Sequence, residues 1–514
     1  MRRWNWTVRS AIVAVVVLAA TMLVSDYYKW RLLALPWYSD TSQLDSFHGE
    51  ILQHRKSSGG NPTTGQHLSV PLSQAGLANA ASINVSVTSP QATVASRTPG
   101  SSPIVTTALP PLLSPVAKSP QPKLSSLQLL EKSLSKARLA IRNVIVSGIK
   151  VAAAEPATDG SDELFGDVYR NAAVFRQSYW EMENRLKIFV YEEGEEPLVH
   201  NGPCKEIYAV EGRFIQELQG DNPFLTTNPE HAHVFFMPFS VAMMVTYLYE
   251  AESQDINPLR NFVQDYINAI TQTYPYWNRS VGADHFMISC HDWGPEITRS
   301  HPDLATKSIR VLCNANSSEG HVPYKDASLP EINLVGGNIP TELGGPPAHE
   351  RPYLAFFAGG DHGPVRPHLF EYWKEKDKDV RVYQELPAGL NYQQLMKESR
   401  YCLCPGGYEV NSPRIVEAIY NNCVPVVIAD GFVLPFSDVL NWSMFSLHIN
   451  ESDIPMIKQI LQAIPMDTYI SMQERVKQAQ KHFLFNQPTK RYDAFHMILH
   501  SVWLRRLNIH IDSI

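Results

Sequence analysis

The chain has 514 residues, enough for two or three domains of ~100–200 residues each, and 44% of them are hydrophobic, which supports a sizeable core. Forty-four basic against 51 acidic side chains leave a net charge of −7, which argues against the basic stripe of a nucleic-acid binder. The 10 Trp, 22 Tyr and 20 Phe all avoid residues 48–164, so the chain divides into a short N-terminal piece, a tether and an aromatic-rich body.

Ala11 to Val24 is an apolar run of 14, preceded by Arg2, Arg3 and Arg9 and followed by Tyr27, Tyr28, Lys29, Trp30 and Arg31. At ~1.5 Å per residue it covers ~21 Å of a ~30 Å hydrocarbon core, so a span needs the flanking aromatics and snorkelling cations. A cleaved signal peptide is the rival reading, but no small-x-small site follows Val24. The expectation is a cytosolic tail over 1–9 and a signal-anchor transmembrane helix over 10–30. Positive charge on the short side sets a type II orientation with the body lumenal. Acceptor sequons at Asn84, Asn278, Asn316, Asn441 and Asn450 agree with a lumenal body. The six cysteines are an even number and allow 15 full pairings, among which the sequence does not choose. Cys402 and Cys404, two apart on an apparent strand, share a face as half of a metal site would. No second Cys/His pair stands at zinc spacing, so structural thiols or disulfides are the expectation.

Residues 31–124 read as a flexible stem: from Ser57 to Lys123 there are ten prolines and no acidic side chain. Such a segment buries too little apolar surface to offset its conformational entropy. Leu127, Leu130, Leu134, Ala137, Ile141 and Val144 then recur at helical spacing after a Ser125-x-x-Gln128 capping pattern. This predicts an amphipathic helix over 125–150, either packed on the body or forming a short self-associating stalk.

Past Phe165, short apolar runs alternate with helical segments. Lys187–Tyr191, His233–Phe239, His285–Ser289 and Ser308–Cys313 read as buried strands; Gly212–Gln219 and Leu259–Tyr274, the latter opened by Asn257-Pro258, read as helices. After a Gly/Pro-rich break the alternation resumes, with strands Tyr353–Ala358, Val380–Glu385, Tyr401–Cys404 and Val424–Ala429 between helices. The pattern predicts two Rossmann-like α/β domains of parallel strands facing a cleft, over 165–345 and 350–490. A C-terminal helix in 491–514 is expected to pack back across them.

Two strand-to-helix turns are chemically suggestive. Tyr353–Ala358 runs into Gly359-Gly360 and a helix with Arg366 in its first turn; glycine lets a ligand approach the backbone, and a helix N-terminus favours an anion. Tyr401–Cys404 leads to Pro405-Gly406-Gly407, with Ser412 expected as N-cap, Pro413 at N1 and Arg414 behind it. The helix dipole disfavours a cation there, which a bound anion would explain. Glu417, one turn on, is placed to accept both hydroxyls of a ribose; the plainer reading is an Arg414–Glu417 i,i+3 pair.

Cys402 to Ile419 (CLCPGGYEVNSPRIVEAI), Asn422 to Ile428 and Leu434 to Asp438 resemble the exostosin family of glycosyltransferases. Phe356 to Gly360 with Arg366-Pro367, Lys187 to Glu192, Phe235 to Phe239, Pro275 to Arg279, Gly282 to Phe286 and Cys290 to Pro295 look like its plant branch. The likeness runs over roughly Tyr169 to Leu504. It implies a Golgi type II membrane enzyme of the two-Rossmann (GT-B) type that transfers with inversion from a nucleotide-sugar, most simply a UDP-sugar, to an oligo- or polysaccharide acceptor of cell wall or matrix. The second domain would hold the donor through Gly359, Gly360, Arg366, Gly406, Ser412, Arg414 and Glu417, and the first would be acceptor-side. The resemblance also admits homo- or hetero-oligomers with other glycosyltransferases, and as the alternative a catalytically silent, membrane-anchored partner in such a complex.

Inversion needs a general base and no covalent intermediate. Ligands bind beyond the carboxyl ends of parallel strands, so Asp292 is the first choice, with Asp284 in reserve and His285 or His291 as hydrogen bonders. A His285-x5-His291-Asp292 zinc set has no supporting Cys/His spacing elsewhere. Asp377-Lys378-Asp379 is the one Asp-x-Asp, in a charged turn. The expectation is transfer without a metal, arginines neutralising the leaving diphosphate.

Overall fold

The computed structural model describes residues 124–147 and 164–511. The anchor expected over 10–30, nearly all of the stem and the Asn84 sequon lie outside the described residues. Among the described residues no helix is long and apolar enough to cross a membrane.

The predicted amphipathic helix spans Ser126–Ser147. Its capping box closes both ways: the Ser125 N–H donates to Gln128 Oε1 (2.9 Å) and the Gln128 N–H to Ser125 Oγ (3.2 Å). Leu134 and Ala137 are fully buried, and the helix packs on Ala172–Arg185. Arg138 donates to the Leu507 and Ile509 carbonyls, at 2.7 Å each, so this helix belongs to the body.

Two five-stranded sheets follow, every pairing parallel. The first holds β1 (Ile188–Val190), β2 (Val234–Phe236), β3 (His285–Ser289), β4 (Ile309–Leu312) and β5 (Ala327–Ser328). The second holds β6 (Tyr353–Ala358), β7 (Val380–Tyr383), β8 (Ser399–Pro405), β9 (Val424–Ile428) and β10 (Leu447–His448). Their apolar runs are continuous because helices cover both faces. Phe235 and Met287 share a core with Leu259, Val263 and Ile267 of the helix Asn257–Thr273. On the opposite face Phe236 meets Phe214 at 5.5 Å, and Phe214 meets Phe495 of the C-terminal helix Ala494–Asn508 at 5.4 Å.

The expectation of two Rossmann-like halves needs one correction. The first sheet runs β1-β2-β3-β4-β5, each connection stepping to the next neighbour, so its strand order never reverses. The second runs β10-β9-β8-β6-β7, and its order reverses between β6 and β8. Only the second half has the topological switch point that opens a ligand crevice in this architecture. Two local readings also change. The helix after β8 is the short Arg414–Tyr420, and Ser412 does not cap it. Asn257 lies inside its helix, and Asp255 instead accepts from the Asn257 N–H.

The loops beyond β4, β5 and β9 stitch the halves together. Val433 N–H donates to Ala315 O, and Ser317 N–H to Gly431 O, both at 2.9 Å. The carboxyl ends of both sheets therefore open into one cleft.

Candidate active site

The crevice between β6 and β8 collects the expected donor residues. Arg366 is buried and bridges the two glycine turns, its Nε donating to Gly406 O (3.2 Å) and Nη1 to Gly360 O (3.1 Å). Arg414 donates through Nη2 to Ala358 O (3.1 Å) and through Nη1 to Ser412 Oγ (3.3 Å), while its buried Nε has no partner. Both guanidinium groups lie over the Phe357 ring, at 5.9 and 4.7 Å. Neither makes an ion pair with a carboxylate among the described residues. Burial, and then the charge of Arg414, lower the Arg366 pKa to about 10. Two crowded cations held by neutral groups form a site that an anion would relax.

The glycines serve these arginines before any ligand. A Cβ at Gly359 would stand 2.7 Å from Arg414 Nη2, and one at Gly407 3.1 Å from Arg366 Nη2. Gly363, at φ +67°, would press a Cβ to 1.7 Å from Gly407 O, so the turns after β6 and β8 touch backbone to backbone. Glu417 accepts from Tyr392 Oη (2.8 Å) and Asn333 Nδ2 (3.3 Å), not from Arg414, so the plain i,i+3 pair is not formed. Each carboxylate oxygen keeps a lone pair for a further donor.

The first half faces this cradle with Asp292, half-buried just past β3. Its turn is held by Glu211, a fully buried carboxylate accepting from the Cys290 N–H (2.7 Å) and the His291 N–H (3.0 Å). The Cys290–Cys313 disulfide joins the ends of β3 and β4, and Asn314 Nδ2 donates to Asp292 O at 3.1 Å. Burial raises the Asp292 pKa; a hydrogen bond from Asn411 opposes this and the Glu319 charge adds to it. His291 accepts from Trp293 N–H through Nδ1, and burial lowers its pKa to about 4, so it is a neutral hydrogen bonder near neutrality.

Asp284 and His285 are not part of this constellation. They occupy the opposite, amino end of β3, where Asp284 accepts from Ser280 Oγ (2.6 Å), His285 Nδ1 (2.9 Å) and Arg279 (3.1 Å). His285 Nε2 meets Tyr191 Oη at 2.7 Å, so both side chains are fully committed and the reserve base and the His285–His291 zinc set are withdrawn. Cys402 pairs with Cys423 rather than sharing a metal with the free, buried Cys404. Asp377 and Asp379 both hold Lys458, at 2.7 and 2.9 Å, which leaves that Asp-x-Asp as a structural turn. Asn278 and Asn450 are exposed and Asn441 is partly so, whereas Asn316 is buried with its amide spent on Ser318 and Glu319. That sequon is removed from the accessible set.

Sequence reasoning missed the other carboxylates in the cleft. Glu331 follows β5, Glu319 follows β4 and Glu409 follows β8. Burial, and then the charge of Asp292, push Glu331 up to about 8; burial with Glu319 and Asp292 pushes Glu409 up to about 7. Asn411, buried, donates to Glu331 Oε2 at 2.7 Å. These residues lie in loops and, for Glu319, a single 3-10 turn, segments in which periodicity carries no signal; an acidic residue beyond each strand's carboxyl end was the only available hint.

Residues 182–464 match the Exostosin GT47 domain. A "probable glycosyltransferase" of Arabidopsis thaliana is 54% identical over 76% of this chain and 74% of its own. A "probable glucuronosyltransferase" of Oryza sativa subsp. japonica is 30% identical over 64% of this chain and 80% of its own. Among solved structures, Acinetobacter baumannii MurG covers 57% of this chain and 94% of its own at 11% identity and a TM-score of 0.26, too slight a likeness to carry a conclusion.

Proposed function

Because this chain belongs to the exostosin GT47 family and is a glycosyltransferase, we propose that it transfers a sugar with inversion from a nucleotide-sugar, specifically a UDP-sugar. The acceptor is a growing cell-wall or matrix polysaccharide in the Golgi lumen. The observation that carries the reading is the pair of guanidiniums, Arg366 and Arg414, without a carboxylate partner at the β6/β8 switch point. They receive the diphosphate, while Ser412 and Glu417 line the nucleotide side and Glu417 takes the ribose hydroxyls.

Asp292, across the cleft, takes the proton from an acceptor hydroxyl. The freed oxygen attacks the anomeric carbon from the face opposite the leaving group, and the bond to UDP breaks. The arginines meet the charge that appears on the diphosphate. His291 and Tyr208, whose rings lie 4.8 Å apart, shape the acceptor side. Transfer needs no metal in this scheme and should survive EDTA; restoration of EDTA-killed activity by Mn²⁺ alone would overturn that part. The type II anchor over 10–30 and the stem of 31–124 complete the proposal as the tether to the Golgi membrane.

Arg414→Ala tests the donor site. UDP should raise the melting temperature of the wild type, and the variant should keep its circular dichroism while losing that rise. Undiminished UDP binding by the variant would remove the donor site and leave the silent-partner reading in its place.

A further inference from the structure

The sugar end of the cleft is unusual in its polarity. Asp292, Glu319, Glu331 and Glu409 arrive from the ends of β3, β4, β5 and β8, and among the described residues none of them is ion-paired. Two buried amides sit between them. Asn314, 1% exposed, gives its nitrogen to Glu319 (3.3 Å) and to Asp292 O; Asn411, 7% exposed, gives its nitrogen to Glu331. Asn314 Nδ2 faces the Asp292 carbonyl, which only accepts, so the Asn314 oxygen is assigned, and the Asn411 nitrogen is placed on Glu331 Oε2. Both Oδ1 atoms are buried and have no donor. An unpartnered buried acceptor is costly unless something supplies a hydrogen.

We infer that this pocket, with two unpartnered amide oxygens among its carboxyl groups, holds the hydroxyls of a neutral hexose or pentose and rejects a uronic-acid donor. The inference rests on the donor reading above and adds the chemical class of the sugar. Hydroxyls donate to the two amide oxygens and to the carboxylates, satisfying each. A uronate carboxylate brings only acceptors, which cannot satisfy the two amide oxygens, and a further negative charge where burial first, and then neighbouring carboxylates, already raise Glu331 and Glu409. Arg366 and Arg414 are held beside the glycine turns by the Gly360 and Ala358 carbonyls, where the diphosphate goes.

The test titrates the full-length protein with UDP, UDP-glucose, UDP-xylose and UDP-glucuronate by calorimetry. The neutral donors should bind at least as well as UDP, and UDP-glucuronate at least about tenfold more weakly than UDP-glucose, the size of one like-charge contact in a partly wet cleft. Glu409→Gln should narrow that ratio to within about threefold while leaving UDP affinity near wild type, which also shows that the variant is folded. Equal or tighter binding of UDP-glucuronate, which transferring the rice relative's name would suggest, overturns the neutral-sugar assignment and leaves the donor site standing. Absence of binding by UDP and every UDP-sugar overturns both.

Discussion

Gly359 and Gly363 differ in what a methyl group would meet, and the difference separates binding from folding. At Gly359 the neighbour is the movable tip of Arg414, so Gly359→Ala should fold and should weaken UDP binding by displacing the guanidinium. At Gly363 the neighbour is the Gly407 carbonyl and φ is positive, so Gly363→Ala should cost roughly 2–4 kcal/mol in chemical denaturation. Equal stability of the two variants would contradict this division. Glu331 supplies a pH signature. Its ordinary value is 4.5, and the folded protein holds the proton to about 8, so the folded state binds more protons than the unfolded one between those values. Stability from this group is present below pH 4.5 and is lost as pH rises through about 8. Glu331→Gln should flatten that decline, giving a melting temperature above wild type at pH 8 and little change at pH 4.5; a parallel pH dependence would argue against it.

At the scale of elements, the strands were legible because both faces of each sheet are covered and their apolar runs are unbroken. β5 and β10 escaped because two-residue pairings leave no pattern. The helix Ser126–Ser147 was legible in length and cap, but whether its stripe met the body or another copy depended on the partner surface. Leu134 is fully buried there, so Leu134→Ala should destabilise the protein by roughly 2–5 kcal/mol in urea unfolding, whatever the protein concentration. A loss that appears only under dilution would restore the stalk reading. The Cys290–Cys313 bond closes a separation of 23 residues beside Asp292. Replacing both cysteines by serine should cost about 3 kcal/mol and reduce transfer more than UDP binding, because the bond positions the base and not the donor.

Over the whole molecule, the two halves are unequal: one sheet reverses its strand order and offers a crevice, and the other steps in one direction and offers the loops that face it. The C-terminal helix joins them, Arg505 donating to Asp326 O (2.8 Å) and ion-pairing with Asp438. What the sequence determined by itself was everything local or periodic: the α/β alternation, the amphipathic helix with its capping box, and the glycine turns with Arg366, Ser412, Arg414 and Glu417 nearby along the chain. Only the tertiary structure decided the rest. Strand order is a matter of non-local pairing, so the single switch point was invisible in a linear pattern. The disulfide partners stand 23 and 21 residues apart and are chosen by strand neighbours. Asp292, Glu319, Glu331 and Glu409 become one group because four separate strand ends meet, and the raised pKa values of Asp292, Glu331 and Glu409 come from burial and neighbouring negative charge that no stretch of sequence contains.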